Sequence, residues 1–413
     1  MARINNIAPL ITKDNWAYDA FGKLRISQPE TIFDSKLTND NAPLFWDDQE
    51  VSGGSTSSTY NTDQASVTLA VANTTAGVRT RQTFMRFNYQ PGKSQLIMMT
   101  GIIGVAATGI DVEVGLVDDD NGLFFYTDGT NVGVCVRTNT SGSPVDAKVA
   151  QSAWSLDPMD GSGPSGVTLD FTKTQIMFFD FEWLGVGSVR FGFVVDGIPI
   201  YVHEVLNANS LALVYMSTPN LPLRWSIENS GAGAVASITQ ICSTVMSEGG
   251  TQATGSIRFK STAGTHTTAT TENVIYAVLG LSLHSTKLDG IIEIISTALY
   301  IQTASDVIEW TLRLNPTVAS VFTYNNETNS VASTAVGVTA NTVTGGTILA
   351  GGYLQSGNAS SGLGAGGVNI LKNAIRLGLS IAGARDTIVL CAMPIGGTAA
   401  VEVEGNINWR EIG

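Results

Sequence analysis

Ser188-Val189-Arg190-Phe191-Gly192-Phe193-Val194-Val195-Asp196-Gly197-Ile198-Pro199-Ile200-Tyr201-Val202-His203 reads as two β-strands folded back on a two-residue turn. Asp196-Gly197 lies between Val195 and Ile198 and suits a type I′ hairpin, in which both central residues need φ > 0. Pro199 has no N–H to donate, so its strand belongs at an edge or its position falls outside the ladder. The apolar segment 175–183 supplies a strand before the hairpin.

Outward from the hairpin the same texture continues. From Ser66 the apolar period is two. The segment 79–89 sets Arg79, Arg81, Thr83, Met85, Phe87 and Tyr89 on one face and Thr80, Gln82, Phe84, Arg86 and Asn88 on the other. Further strands are predicted at 96–105, 110–117, 122–127 and 131–137, separated by turns such as Asp118-Asp119-Asp120-Asn121-Gly122 and Asp128-Gly129. Short strands at this spacing predict a sandwich or barrel. Residues 1–50 show no sustained period and are expected to form an extended docking arm with short strands. A Gly/Ser/Thr stretch at 53–59 closes that arm. After Met246-Ser247-Glu248-Gly249-Gly250 the pattern resets, with strands predicted at 274–284, 291–303, 307–314, 375–379 and 387–392. The stretch 326–367 is rich in Thr, Ser, Gly, Ala and Asn and predicts exposed loops around one or two weak strands. The expected architecture is all-β: the arm, a lectin-like β-sandwich over 51–248, and a second, jelly-roll-like β-sandwich over 249–413.

Composition narrows the function. Charged residues are 14 % of the chain, against about 25 % in an average globular protein, so hydroxyls and amides carry the polarity. A net charge of −13 argues against nucleic-acid binding, which needs a cationic surface to release counterions. Cys135, Cys242 and Cys391 are too scattered for a disulfide framework or a cysteine metal site and are expected to pack as small apolar side chains. The opening residues lack the continuous apolar stretch and cleavage site of a secretory signal. No run approaches the roughly 20 apolar residues of a membrane span. The expectation is a soluble chain made in the cytoplasm, not exported through a signal peptide and without membrane insertion.

Chemistry has few candidates. His203, His266 and His284 do not fall at metal-ligand spacing. Phe179-Asp180-Phe181-Glu182-Trp183 would place two carboxylates on one strand face. In sandwich-fold glucanases, which this pattern resembles, a further acid stands two residues earlier; here that position is Phe178, and the pair needed for retaining hydrolysis is incomplete. Asp118-Asp119-Asp120 offers oxygens for calcium but lacks the spacing of a known calcium loop, and acidic residues before Gly are ordinary turn formers. No catalytic residue, cofactor or metal site is therefore expected. Trp154, Asp157 and Asp160, in the loop Trp154-Ser155-Leu156-Asp157-Pro158-Met159-Asp160-Gly161, are candidate glycan contacts, although a loop Trp serves equally as a core plug.

Both ends of the chain carry aromatic residues beside Arg: Trp16, Tyr18, Phe21 and Arg25 near the start, Trp409 and Arg410 near the end. Such residues give large contact area and a planar fork of donors, and here they are candidate assembly contacts. The late strand, Asp-Gly turn and returning strand resemble the laminin-G or concanavalin-A-like sandwich. The segments Ala20-Phe21-Gly22-Lys23-Leu24-Arg25-Ile26-Ser27, Thr31-Ile32-Phe33-Asp34-Ser35-Lys36, Phe87-Asn88-Tyr89-Gln90-Pro91-Gly92-Lys93-Ser94 and Asn408-Trp409-Arg410-Glu411 resemble a family of virion structural proteins of tailed bacteriophages. That resemblance implies a non-enzymatic virion component in the tail, baseplate or fibre apparatus, docked through its arm onto other virion proteins and copies of itself. The alternatives are a host-glycan receptor module, a head decoration or fibre protein and, less favoured, a polysaccharide-depolymerising tailspike.

Overall fold

The computed structural model describes residues 16–26, 28–252, 254–303, 306–356, 376–396 and 400–412. The chain divides into two compact units, Met1–Gln252 and Ala253–Gly413, close to the boundary expected from the change of texture after Gly250.

The first unit has two antiparallel sheets. One runs, in hydrogen-bonded order, Ile198–Val205, Val189–Val195, Gln175–Phe181, Gln95–Ile102, Ala236–Ser247, Ser66–Val71 and Thr56–Asn61, with Glu30–Ser35 also paired along Ala236–Ser247. The other runs Val145–Ala150, Val132–Thr138, Gly122–Thr127, Ile110–Val117, Leu223–Asn229, Gly77–Thr83 and Trp46–Gly53. Inward residues of both sheets share one core: Met99, Phe179 and Phe191 from the first meet Val114, Phe125 and Trp225 from the second. That is a β-sandwich, each strand offering alternate side chains to the core. The Asp196-Gly197 hairpin forms as the sequence predicts, with φ of 51° and 78° at its two central residues. The strand carrying Pro199 lies at the sheet edge.

The expected arm is only partly separate. Glu30–Ser35 joins one sheet and Trp46–Gly53 the other. The reason is apolar burial: Phe33, 6 % exposed, and Trp46, 2 % exposed, belong to the shared core and could not be left in water cheaply.

The second unit sets two larger sheets on one core, with a short separate ribbon of Thr317–Val318 and Val343–Thr344. Val401–Ile412 pairs with Ser256–Ser261 and Thr267–Ala269 on one side and with Ile291–Ile301 on the other. The facing sheet runs Asn325–Asn326, Ala332–Val336, Tyr276–Leu283, Thr387–Gly396, Val307–Leu314 and Thr347–Gln355. Of the strand expected at 375–379, Ile375 lies outside the described residues, and the rest contributes only an isolated bridge from Leu379 to Arg385.

Candidate functional site

The strand Gln175–Phe181 separates two environments by alternation. Met177, Phe179 and Phe181 point into the sandwich, whereas Phe178 and Asp180 point to the outer face of the sheet. Neither outer residue meets water: both are fully buried. Segment 16–26 covers them. The Trp16 ring stands edge-on to Phe178 at 5.1 Å and lies 6.3 Å from Tyr201. Leu96, Met98 and Met246 complete this outer apolar cluster.

Arg25 is the anchor of that cover. Its guanidinium lies 4.1 Å over the Trp16 ring and donates to the Trp16 carbonyl at 2.7 Å. It donates to the Asp180 carboxylate at 2.5 Å, to the Tyr201 hydroxyl at 3.2 Å and to the Glu248 carboxylate. Asp180 also accepts from Tyr201 at 2.9 Å and from Arg190 Nε at 3.0 Å. Arg190 reaches back to the Tyr18 carbonyl at 3.0 Å. Two carboxylates and two guanidiniums thus neutralise one another in a site closed to solvent, where removing one partner would strand a charge. Burial works against the Arg25 charge, but the hydrogen bond it donates to Glu248 and the fields of Asp180 and Glu248 outweigh it and raise its pKa. Burial pushes the Glu248 carboxyl and the Tyr201 hydroxyl up.

The rest of the segment is pinned by its own turn. Asp19 accepts from the backbone N–H groups of Phe21 at 3.0 Å and Lys23 at 2.8 Å, an Asx-type closure. Lys23 lies 4.8 Å over the Phe21 ring and donates to the Gly92 carbonyl at 3.0 Å. The Ala20 N–H reaches Ser94 Oγ at 3.4 Å, and Ser188 Oγ donates to the Ala20 carbonyl at 3.1 Å.

Of the four residues read from the sequence as assembly contacts, Trp16 and Arg25 spend their side chains within the first unit, whereas Tyr18 is held through its carbonyl and Phe21 lies beneath Lys23 of its own segment. Trp409 is 1 % exposed in the second core, where its Nε1–H donates to Glu411 at 2.9 Å, and Arg410 pairs with Glu293 at 3.4 Å. The glycan candidates are dispersed by burial. Trp154 is 6 % exposed, packs on Phe193 at 5.9 Å and has no face open to stack on a sugar; it is the core plug. Asp157 is buried and accepts from the Met159 and Ser165 N–H groups at 2.8 Å each. Only Asp160 is exposed, and it caps its own turn through Ser162.

The strand-face carboxylate pair does not assemble either. The strand ends at Phe181, and Glu182 turns to accept from the Ser188 N–H at 3.1 Å while Asp180 is held by two arginines. Asp118 accepts from the Asp120 and Asn121 N–H groups and from Arg86, and Asp119 pairs with Arg224. Among the described residues no group of three or more His, Cys, Asp or Glu could hold a metal ion. His203 Nδ1 accepts from the Ser155 N–H at 3.1 Å, and burial lowers its pKa. Sequence reasoning missed Arg190, Tyr201 and Glu248 as members of the ionic site. The available signal was a lone Asp180 and a lone Arg190, each inside an apolar strand and directly opposite one another in register.

No family model matches the chain, and no curated protein matches it. Among solved structures it is similar to a glycoside hydrolase family protein from Mycobacterium thermorestibile at 12 % identity and TM-score 0.36, covering 52 % of this chain and 99 % of that one. It is similar to the carbohydrate recognition domain of Emp47p at 9 % identity and TM-score 0.34, covering 54 % and 98 %. A third likeness is to a conserved carbohydrate esterase from Shiga toxin-encoding bacteriophage phi24B, at 12 % identity and TM-score 0.28, covering 53 % and 99 %.

Proposed function

We propose that this chain is a non-enzymatic structural component of a bacteriophage virion, working in the tail, baseplate or fibre apparatus. One observation carries the reading: segments that resemble the virion family in sequence meet in space. Ala20 and Lys23 bond to Ser94 and Gly92, and the Phe33 ring packs 5.2 Å from Phe87. Three of the four segments that carry the resemblance therefore pack together, two of them in the cover over one sheet and Phe33 with Phe87 in the core beneath, and Asp180 in that cover is closed off by Arg25 and Arg190. A side chain spent in a closed ion cluster is a poor nucleophile or general acid, because catalysis needs a group that can reach substrate.

Gold-labelled antibodies to the purified chain, applied to source particles and viewed by electron microscopy, test the role. Label on tail or fibres is the expected result; absence of label from intact and opened particles would defeat it. The same protein incubated with host polysaccharide should release no new reducing ends, and their release would replace the structural reading with a depolymerase.

A further inference from the structure

We infer that the strand Thr347–Gln355 is a self-association edge, at which a second copy of this chain adds its own Thr347–Gln355 antiparallel and joins two six-stranded sheets into one. Among the described residues this strand is paired only with Val307–Leu314, so its other edge has no strand partner. It is 9 residues long, with Ile348 55 % and Tyr353 73 % exposed. Long apolar edges invite pairing, and proteins that stay apart blunt them with charge or proline. Three other sheet edges of this chain are blunted in that way, by Asp146 and Lys148 on Val145–Ala150, by Pro199 on Ile198–Val205, and by Asp47, Asp48 and Glu50 on Trp46–Gly53, whereas the uncharged edge Thr56–Asn61 is short and polar. Here no charged residue stands anywhere between Glu327 and Lys372.

The pattern of the strand selects a copy of itself as the occupant. Leu349, Ala350 and Leu354 pack on the core, and Gly352 lies under the Trp310 ring. Ile348, Gly351, Tyr353 and Gln355 face outward. Facing residues of an antiparallel pair must share a sheet face. A two-fold axis at Gly352 meets that condition along the strand: Gly352 faces Gly352 of the second copy, Tyr353 faces Gly351, and Ile348 faces Gln355. The register shift between Leu312 and Arg313 lets Leu349 and Ala350 together oppose Leu354 of the second copy. Each Tyr353 ring then covers a glycine that has no side chain of its own, a recognised stabilising pairing at sheet edges. The flanking charges agree: Glu309 lies beside Tyr353 and Arg313 beside Ile348, so the two-fold sets no like charges opposite one another. An isologous contact of this kind closes at two copies.

The test needs no virus particle and does not depend on the virion reading. Full-length protein is followed by light scattering and sedimentation over a concentration series, with circular dichroism as the check on folding. The expected result is a reversible dimer whose dissociation constant rises at least tenfold in Ile348→Lys/Gln355→Lys, which sets lysine against lysine while replacing only exposed side chains. Mixing the double lysine chain with an Ile348→Glu/Gln355→Glu chain should restore association as a heterodimer. A monomer at every concentration overturns the proposal, whether the edge is then covered by the same chain or left open. A dimer indifferent to the double lysine variant, or a mixture that fails to re-associate, overturns it equally.

Discussion

Arg25 and Asp180 stand 155 positions apart in the chain and 2.5 Å apart in space. Their contact closes segment 16–26 over the outer face of a sheet that would otherwise present Phe178 and Tyr201 to water. The Arg25, Asp180 and Glu248 side chains are 13 %, 0 % and 4 % exposed, so the cation is what makes two acids tolerable there. Arg25→Met should cost about 3 kcal/mol of stability, most of it from leaving a buried carboxylate unpaired. Arg25→Met with Glu248→Gln should cost clearly less than the sum of the single changes, because the second removes the charge that the first strands. Urea unfolding of the four members of the cycle measures this; strict additivity would mean that the two side chains do not interact.

His203 gives the molecule a pH dependence with a definite sign. Its ring accepts from the Ser155 N–H, which requires an unprotonated Nδ1, and burial holds its pKa below the ordinary 6.5. The unfolded chain therefore binds this proton more readily than the folded one. The stability that neutral His203 contributes is present above about pH 6.5 and is lost as pH falls toward the lower folded pKa. His203→Asn, whose side-chain oxygen can replace Nδ1 as acceptor, should flatten the change in melting temperature between pH 7.5 and 5.5. An unchanged slope would place the titration elsewhere.

How much of this was legible in advance depended on distance along the chain. The Asp196-Gly197 hairpin was readable because its signal is local: two residues, one turn type, apolar flanks. The two sandwiches were readable from alternation. The clasp was not, because Arg25 finds Asp180 and Glu248 only after the sheet has formed, and nothing near Arg25 in sequence marks those partners. Glu248 was seen merely as part of the Ser247-Glu248-Gly249 break between units. Trp154 had two readings until burial chose the core. The aromatic residues of 30–50 looked like an arm because that region has no long period, yet Phe33 and Trp46 are anchors of short strands whose ladders come from distant partners.

The hairpin offers a test of backbone conformation free of packing. A Cβ added at Gly197 would meet nothing within 4 Å, yet φ there is +78°. Gly197→Ala should therefore cost about 1 kcal/mol through left-handed backbone strain alone. Asp196→Gly, at a φ of 51°, should shift stability by only a few tenths of that figure, since it relieves strain while loosening the unfolded chain. Denaturation midpoints decide it; a larger loss from Asp196→Gly than from Gly197→Ala would contradict the turn assignment.

Trp409 separates a closing role in the second unit from a contact beyond it. Its ring is buried in the core of the second unit, on the strand that pairs with both Ser256–Ser261 and Ile291–Ile301, and its Nε1–H donates to Glu411, itself only 8 % exposed. Trp409→Ala should cost about 3 to 5 kcal/mol, the range for emptying a large aromatic site. Trp409→Phe should cost much less, because it keeps most of the apolar volume, and Ser330 and Arg258 remain beside Glu411. Hydrogen exchange in 256–261 and 291–301 should quicken strongly in the alanine variant and modestly in the phenylalanine one, while 175–205 in the first unit keeps its protection. Unchanged exchange in those strands with impaired assembly into particles would instead assign Trp409 to an intermolecular contact.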